Sequence, residues 1–300
     1  MSLKQVKSKI IATKKTGQVT KAMESVSAVK MRKSQARAFG ARPYVESALR
    51  VLGQLATTAD GLAHPFMQRG VGERELIILV TSDKGLAGSV NSAVLKLAEQ
   101  TVATGVQADF ICVGRKAVDF VRRLGYTPLA EYTNISDDVS VADVTAMAST
   151  VTGAFISGTY AKVSVIYQNF LSTFEQVPEE QTVLPIDPAE LQLIAAGIAP
   201  KVGKGSEATR QAETRINYTV EPNPTEVLES LIPRLVQIML YHTLLEHKAA
   251  EHSARMVAMK NATDKSKEVV KALTVKYNKA RQAAITAEVS EITAGVEALK

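Results

Sequence analysis

The sequence predicts an α/β protein, in which a long antiparallel coiled coil made by the two ends of the chain is joined to a central α/β domain. Residues 3–39 and residues 251–299 each contain no proline and a single glycine, so both ends predict extended helices. Between them, short apolar runs alternate with helical patterns, which is typical of βαβ units.

The N-terminal helix is predicted within residues 1–60, and its apolar residues recur at intervals of mostly three, four and seven. They are Leu3, Val6, Ile10, Val19, Met23 and Val26, followed by Val45, Leu49, Leu52 and Leu55. So narrow a stripe indicates a coiled-coil seam rather than the wide apolar face of a helix on a globular core. The alternative is that both terminal helices fold back on a compact core.

Residues 70–220 predict one Rossmann-like α/β domain. The predicted strands are the apolar runs at 75–80, 109–113 and 162–167, and the predicted helices are 91–104, 116–124 and 141–156. This alternation indicates a mostly parallel sheet with helices on both faces.

The end of this domain has weaker patterns. Residues 174–184 predict an extended segment, which Pro178 and Pro185 confine to a sheet edge. Residues 186–213 predict a surface loop, and residues 215–220 a short strand that leads into the last helix.

The C-terminal helix is predicted over residues 223–299. Asn223 and Glu226 form a capping box around Pro224, which occupies the first helical position. Pro233 predicts a kink or local break. At about 1.5 Å per residue the helix would be on the order of 110 Å long, so its partners must lie outside its own domain.

A second narrow stripe lies near the C-terminus. It consists of Val269, Leu273, Tyr277, Ala280 and Ala284. Two such stripes at opposite ends of one chain favour antiparallel pairing of the two terminal helices.

Charge is distributed unevenly along the chain, whose net charge is +6. Residues 1–50 carry twelve basic and two acidic residues, residues 253–281 carry eight and two, and residues 51–252 carry fifteen and twenty-three. Basic helices indicate an anionic partner, such as an acidic protein surface, unless they only face solvent. The lack of Trp and of any base-reading module argues against nucleic acid.

Composition narrows the class further. No apolar run approaches the length of about eighteen residues that a membrane span needs, and the N-terminus is too polar for a secretory signal. The single Cys112 lies in an apolar strand, which predicts a buried, inert thiol and excludes a disulfide within the chain. These features fit a reducing compartment.

Candidates for chemistry are few. The loop SDKGLAGSVN at residues 82–91 follows the first strand, where α/β folds bind phosphate, but it matches no nucleotide-binding motif, and turn chemistry explains its glycines. His242, His247 and His252 are five residues apart, a spacing that does not place them on one helix face. We therefore predict no catalytic, cofactor-binding or metal-binding residues. The enzymatic alternative is a nucleotide-dependent protein that uses the loop at residues 82–91.

Four segments resemble the gamma subunit of F-type ATP synthase. They are QVTKAMESVSAVKMRKSQ at 18–35, SDKGLAGSVN at 82–91, HSARMVAMKNATDKS at 252–266 and YNKARQAAITAEVSEI at 277–292. The resemblance covers both terminal helices and the first strand and loop of the domain. Ala87 stands where the family often has Cys, so no thiol acts in that loop.

The resemblance implies a noncatalytic rotor shaft that couples ion-driven rotation to ATP synthesis or hydrolysis. Its partners would be a ring of three alpha and three beta subunits, the epsilon subunit and the membrane c-ring. It would bind no nucleotide and would be peripheral, on the cytoplasmic face of the bacterial plasma membrane. A coiled-coil scaffold or adaptor with a Rossmann-like head is the alternative.

The resemblance also implies contact residues. Arg281 and Gln282 correspond to the pair that contacts a catch loop of the beta subunit, with Arg255, Thr286 and Glu288 in the same coupling region. Met23, Lys30, Arg32 and Lys33 match the segment that faces acidic beta-subunit loops. Tyr218 and Glu221 align with positions near the membrane rotor ring.

Overall fold

A computed structural model describes residues 2–55, 64–187 and 224–297 of the chain. These residues form two compact units. Residues 1–28 and 255–300 make up one of them, the helical unit, and residues 29–254 make up the other, the sheet unit.

The described chain contains five α-helices, one 3₁₀ turn and five strands. In chain order they are α1 (Leu3–Leu55), the 3₁₀ turn (Pro65–Met67), β1 (Arg74–Val80), α2 (Val90–Ala103), β2 (Ala108–Val113), α3 (Arg115–Arg123), β3 (Ala130–Tyr132), α4 (Val141–Ile156), β4 (Tyr160–Phe170), β5 (Gln176–Leu184) and α5 (Pro224–Glu297).

The five strands form one sheet in the order β3-β2-β1-β4-β5. The pairs β1–β2, β1–β4 and β2–β3 are parallel, and β4–β5 is antiparallel. The mostly parallel sheet is therefore confirmed, and the segment that contains Pro178 is an edge strand, where its missing N–H removes no bond to a further strand.

Helices cover both faces of the sheet. Alternate residues of β1 point to opposite sides, so Leu76 and Ile78 join a core with α4 and α5, whereas Ile77 and Leu79 join a core with α2 and α3. All four of these side chains are fully buried. This double burial explains why β1 is a continuous apolar run rather than an alternating one.

Strand β3 was not among the predicted strands. It has only three residues, Ala130–Tyr132, and none of them is fully buried because the strand lies at the sheet edge. It therefore lacks the apolar run that marked β1, β2 and β4. Of the loop predicted at 186–213, the structure describes only residues 186 and 187, and Ile186 is buried rather than on the surface. The strand predicted at 215–220 lies outside the described residues.

The helical unit pairs the two ends of the chain as an antiparallel coiled coil, as the sequence predicted. The hydroxyls of Thr20 and Thr263 are 2.7 Å apart, and a Cβ added at Gly17 would lie 3.2 Å from the Cβ of Ser266. A step of three residues back along α1 thus matches a step of three forward along α5. Continued at the same spacing, this register sets Leu3 level with Ala280.

The predicted apolar stripe was wrong in its middle part. Val19 and Val26 are 58% and 54% exposed, so neither lies in the seam. The seam instead continues from Val6 through Thr13, Thr20 and Ser27, at intervals of seven, and the side chains of Thr20 and Ser27 are buried. At Gly17, where an added Cβ would meet Ser266, the helices approach too closely for a large side chain, and apolar spacing alone does not reveal this.

The stripe on α5 needs a smaller correction. Leu273, Tyr277 and Ala284 are half-buried as predicted, whereas Val269 is 37% exposed and Ala280 is exposed. Val270 is the half-buried residue at this level of the helix.

Helix α5 begins at Pro224 and continues through Pro233 without interruption, so the predicted local break is not observed. Ile232, Leu235 and Val236 are buried in the core of the sheet unit around this proline. Their packing offsets the lost backbone hydrogen bond. The predicted cap, Asn223, lies outside the described residues. Within the described chain, no helix combines the length and apolarity of a membrane span.

The seam predicts a size limit at Gly17. Gly17→Leu should destabilise the chain by about 1–3 kcal/mol, because the larger side chain forces the two helices apart. The matched control is Gly40→Leu, since nothing lies within 4 Å of a Cβ at Gly40. This control should be neutral or stabilising by up to about 1 kcal/mol through helix propensity. Denaturant unfolding followed by far-UV circular dichroism measures both, and equal effects would contradict a close seam.

Candidate functional site

The loop at residues 82–91 is held closed by its own side chains. The backbone N–H of Ser82 donates to Oδ1 of Asn91 at 3.0 Å, and Nδ2 of Asn91 donates to the Ser82 hydroxyl at 2.7 Å. The same hydroxyl donates to the carbonyl of Lys84 at 2.6 Å. These bonds join the two ends of the loop, so its polar groups are used internally.

Asp83 caps the helix that follows β2. Its Oδ1 accepts from the backbone N–H of Arg115, the first residue of α3, at 3.1 Å, and its Oδ2 accepts from the N–H of Asn134 at 3.0 Å. The chain's own carboxylate thus caps the N-terminus of α3. A negative ligand brought there would be repelled by Asp83.

Helix α5 closes the carboxyl edge of the sheet. Leu244, His247 and Lys248 line a cavity with Thr81 and Asp83, and its volume is about 10 Å³. Ligand pockets commonly measure about 300–1,000 Å³, and about 10–15 Å³ holds a single water. This cavity therefore has no room for a nucleotide.

His247 is a buried, neutral part of that closure. Its side chain is 1% exposed, and Nδ1 accepts from the backbone N–H of Gln168 at 3.3 Å. Among the described residues Nε2 has no hydrogen-bond partner. Burial lowers the pKa of His247 to about 4, since no solvent stabilises the imidazolium there.

The other histidines and the cysteine are held by contacts within the protein. Nε2 of His252 is 2.9 Å from Oδ1 of Asp137, and Nδ1 of His64 accepts from the N–H of Phe66. No cluster of metal-ligating side chains occurs among the described residues. Burial raises the pKa of Cys112 to about 12, which keeps this thiol protonated and inert, as its place in an apolar strand predicted.

The most accessible surface of the helical unit is the end of α5. In the register of the coiled coil, residues after Ala280 lie beyond the first residue of α1, and between 281 and 296 only Ala284 is half-buried. Arg281, Gln282, Thr286 and Glu288 are all exposed in this segment. Their side chains are therefore available to a partner.

An apolar stripe runs along the same segment, and the sequence reasoning missed it. Ile285, Val289, Ile292 and Val296 follow one another at intervals of four, three and four, and they are 49%, 56%, 67% and 56% exposed. This spacing places them on one helix face. Their periodicity is visible in the sequence, but that they lie beyond α1 depends on the register of the two helices.

The remaining predicted contact residues differ in exposure. Arg32 and Lys33 are exposed, Met23 and Lys30 are half-buried, and Arg255 is only 8% exposed. Nζ of Lys30 donates to Oδ2 of Asp137 at 2.5 Å. These side chains therefore differ in how accessible they are, and their role as beta-subunit contacts stays a prediction.

The predicted foot residues, Tyr218 and Glu221, lie outside the described residues. Their proximity to a rotor ring stays a prediction.

Comparison with known sequences finds relatives along the whole chain. The model of the ATP synthase family matches residues 2–299. The ATP synthase gamma chain of Symbiobacterium thermophilum is 38% identical over 300 residues, which cover 99% of this chain and 98% of the relative. The gamma chains of Roseiflexus castenholzii and Cytophaga hutchinsonii are 38% and 36% identical, and each match covers 99% of this chain and at least 98% of the relative.

Solved structures agree in fold. A chain of the Euglena gracilis mitochondrial ATP synthase, in a structure of its OSCP, F1 and c-ring, aligns with a TM-score of 0.65 at 17% identity over 99% of this chain and 94% of that one. A chain of the central stalk and c-ring of the Tetrahymena thermophila enzyme aligns with a TM-score of 0.57 at 24% identity over 81% of this chain and 99% of that one. At these identities the likeness concerns the fold.

The neutral His247 predicts a pH dependence of stability. The unfolded state binds a proton near the ordinary pKa of 6.5, whereas the folded state binds it near 4, so stability is complete above pH 6.5 and falls as the pH drops to about 4. The loss should be on the order of 3 kcal/mol. His247→Asn keeps an acceptor for the N–H of Gln168 and should flatten this part of the curve, measured by urea unfolding between pH 7 and pH 4. An unchanged slope would contradict a buried neutral imidazole.

The closed carboxyl edge predicts that the isolated chain does not bind nucleotide. Titration calorimetry with ATP and with ADP should show no saturable heat. Tight binding of either nucleotide that is lost on Ser82→Ala or Asn91→Ala would revive the enzymatic alternative.

Proposed function

This chain belongs to the ATP synthase gamma chain family, and we propose that it is the central rotor shaft of an F-type ATP synthase. The shaft couples ion-driven rotation to ATP synthesis or hydrolysis in a ring of three alpha and three beta subunits. The observation that carries this proposal is the end of α5, which continues beyond α1 as a single exposed helix with polar residues and an apolar stripe.

The chain itself performs no chemistry in this proposal. Two features of the described residues support that part: Asp83 places a negative charge at the carboxyl edge of the sheet, and side chains of α5 cover that edge. Nucleotide binding and catalysis then belong to the alpha and beta subunits.

Differential contact explains how a noncatalytic shaft can drive catalysis. A shaft can bias the conformation of a beta subunit only if it binds one conformation better than another, and a difference of about 1.4 kcal/mol changes the ratio of two states tenfold. A single helix is asymmetric around its axis, because its apolar stripe lies on one face. Each of three surrounding subunits therefore meets a different face, and rotation exchanges these faces in turn.

The coupling contacts that we propose lie on both terminal helices. Arg281 and Gln282 bind a catch loop of the beta subunit, with Thr286 and Glu288 beside them and Arg255 nearer the sheet unit in sequence. The basic residues of α1 face acidic loops of the beta subunit, so the excess of positive charge on both helices favours engagement.

The other partners follow from the same proposal. The α/β domain docks the epsilon subunit, and Tyr218 and Glu221 approach the membrane c-ring. The protein is peripheral, on the cytoplasmic face of the bacterial plasma membrane, and it has no nucleic-acid partner. Positive charge alone would also suit nucleic acid, but the exposed segment of α5 combines charge with an apolar stripe, which suits a protein surface better.

The proposal is tested by replacing Arg281 and Gln282 together by Ala in the assembled complex. Coupled ATP turnover should fall about tenfold, because two exposed hydrogen-bonding groups worth about 1.4 kcal/mol in total are removed from the coupling contact. The melting temperature of the isolated chain should not change, since both side chains are exposed.

Lys276→Ala is the matched control, because Lys276 is also exposed on α5 but lies within the part that pairs with α1. It should leave turnover unchanged. The shaft assignment fails if the wild-type chain does not co-purify with a nucleotide-binding hexamer, and the residue assignment fails if the double variant turns over ATP at the wild-type rate.

A further inference from the structure

A short acidic loop of the sheet unit lies between α1 and α5. Oδ2 of Asp137 accepts from Nζ of Lys30 in α1 at 2.5 Å, and its Oδ1 is 2.9 Å from Nε2 of His252 in α5. Nζ of Lys248 donates to the carbonyl of Ile135 at 3.1 Å and is 3.8 Å from Oδ1 of Asp137. One loop thus contacts both helices of the unit.

The neighbouring acid extends this contact along α1. Oδ1 of Asp138 is 2.6 Å from a guanidinium nitrogen of Arg37. Lys30 and Arg37 are seven residues apart, which places them on nearly the same face of the helix. Two adjacent carboxylates therefore neutralise two cations on one face of α1.

The α5 side of the loop is well covered. The side chains of His252 and Lys248 are 3% and 13% exposed. The bonds from His252 and Lys30 hold the pKa of Asp137 well below its usual range, so the carboxylate stays ionised. A charged group with partners on two helices contributes more to the stability of the fold than an exposed ion pair does.

The other cations of this α1 segment have a different environment. Arg32 lies about 200° around the helix from Lys30, on the opposite face, and Lys33 lies about 60° from it. Both side chains are exposed, and within the described ranges neither forms an ion pair. No described carboxylate pairs with either of these two cations.

We infer that Asp137 is a positioning residue that, with Asp138, holds Lys30 and Arg37 for the protein's own sheet unit and leaves Arg32 and Lys33 as the α1 cations that meet an acidic partner. The acidic partner in this inference rests on the proposed function. The assignment of Lys30 and Arg37 to contacts inside the chain rests on their ion pairs alone. It removes Lys30 from the contact surface implied by family resemblance and gives it a role inside the chain.

The pairing of Lys30 with Asp137 is tested on the isolated full chain by thermal unfolding. Lys30→Gln should lower the melting temperature by about 1–3 °C. Asp137→Asn should lower it somewhat more, because Asp137 also contacts His252. The double variant should melt no lower than Asp137→Asn alone, because the pair is then already broken. Lys30→Arg should restore the wild-type value. Additive losses would overturn the pairing of Lys30 with Asp137.

The contact of Arg32 and Lys33 with an acidic partner is tested in the assembled complex by the salt dependence of ATP turnover. Arg32→Gln combined with Lys33→Gln should flatten that dependence, whereas Lys30→Gln should leave it unchanged, because a cation already neutralised adds little to the attraction between surfaces. Lys84→Gln combined with Lys116→Gln, which likewise removes two positive charges at exposed positions of the sheet unit, is the control for net charge.

The outcomes separate this inference from the function that it assumes. A Lys30→Gln complex with flattened salt dependence and an unchanged melting temperature overturns the inference. Unchanged salt dependence in the Arg32→Gln and Lys33→Gln double variant overturns the role of these two cations. Failure of the wild-type chain to support any ATP turnover in the complex overturns the proposed function and leaves the internal pairing to be judged from the melting data.

Discussion

The close approach of α1 and α5 is the constraint on which the helical unit depends. At Gly17 and Ser266 a single added Cβ would already be in tight contact, and one layer away two threonine hydroxyls bond directly. Here the seam gives up apolar burial, because Gly17, Thr20 and Thr263 are small or polar, and it gains van der Waals contact between the helices and a buried hydrogen bond. The same spacing fixes the register, since only small residues can face each other there, and the register in turn decides which part of α5 has no helix beside it.

The sheet unit shows how a fold associated with nucleotide binding can be closed. Three features contribute: the hydrogen bonds within the 82–91 loop, the Asp83 carboxylate at the N-terminus of α3, and the side chains of α5 over the strand ends. The carboxyl edge is thus covered by packing and carries an internal carboxylate.

Charge is used in two ways in this chain. Some basic residues of the long helices are matched by acids of the sheet unit, as Lys30 and Arg37 are by Asp137 and Asp138. Others, including Arg32 and Arg281, are exposed. A count of basic residues therefore overstates the charge offered to a partner. For a protein that acts by differential contact, the placement of the exposed charges matters more than their sum.

The sequence by itself determined the long terminal helices, their antiparallel pairing, the parallel strands β1, β2 and β4 and the inert Cys112, because breaker-free runs and doubly buried apolar strands leave direct marks in local composition. It misplaced the seam at Val19 and Val26, expected a break at Pro233 and missed β3. Tertiary structure alone decided these features, as well as the partner of Lys30 and the exposed stripe from Ile285 to Val296. The physical reason is that each depends on what lies opposite a residue in space: a facing glycine, a buried core around a proline, a carboxylate from a distant loop, or the end of the neighbouring helix.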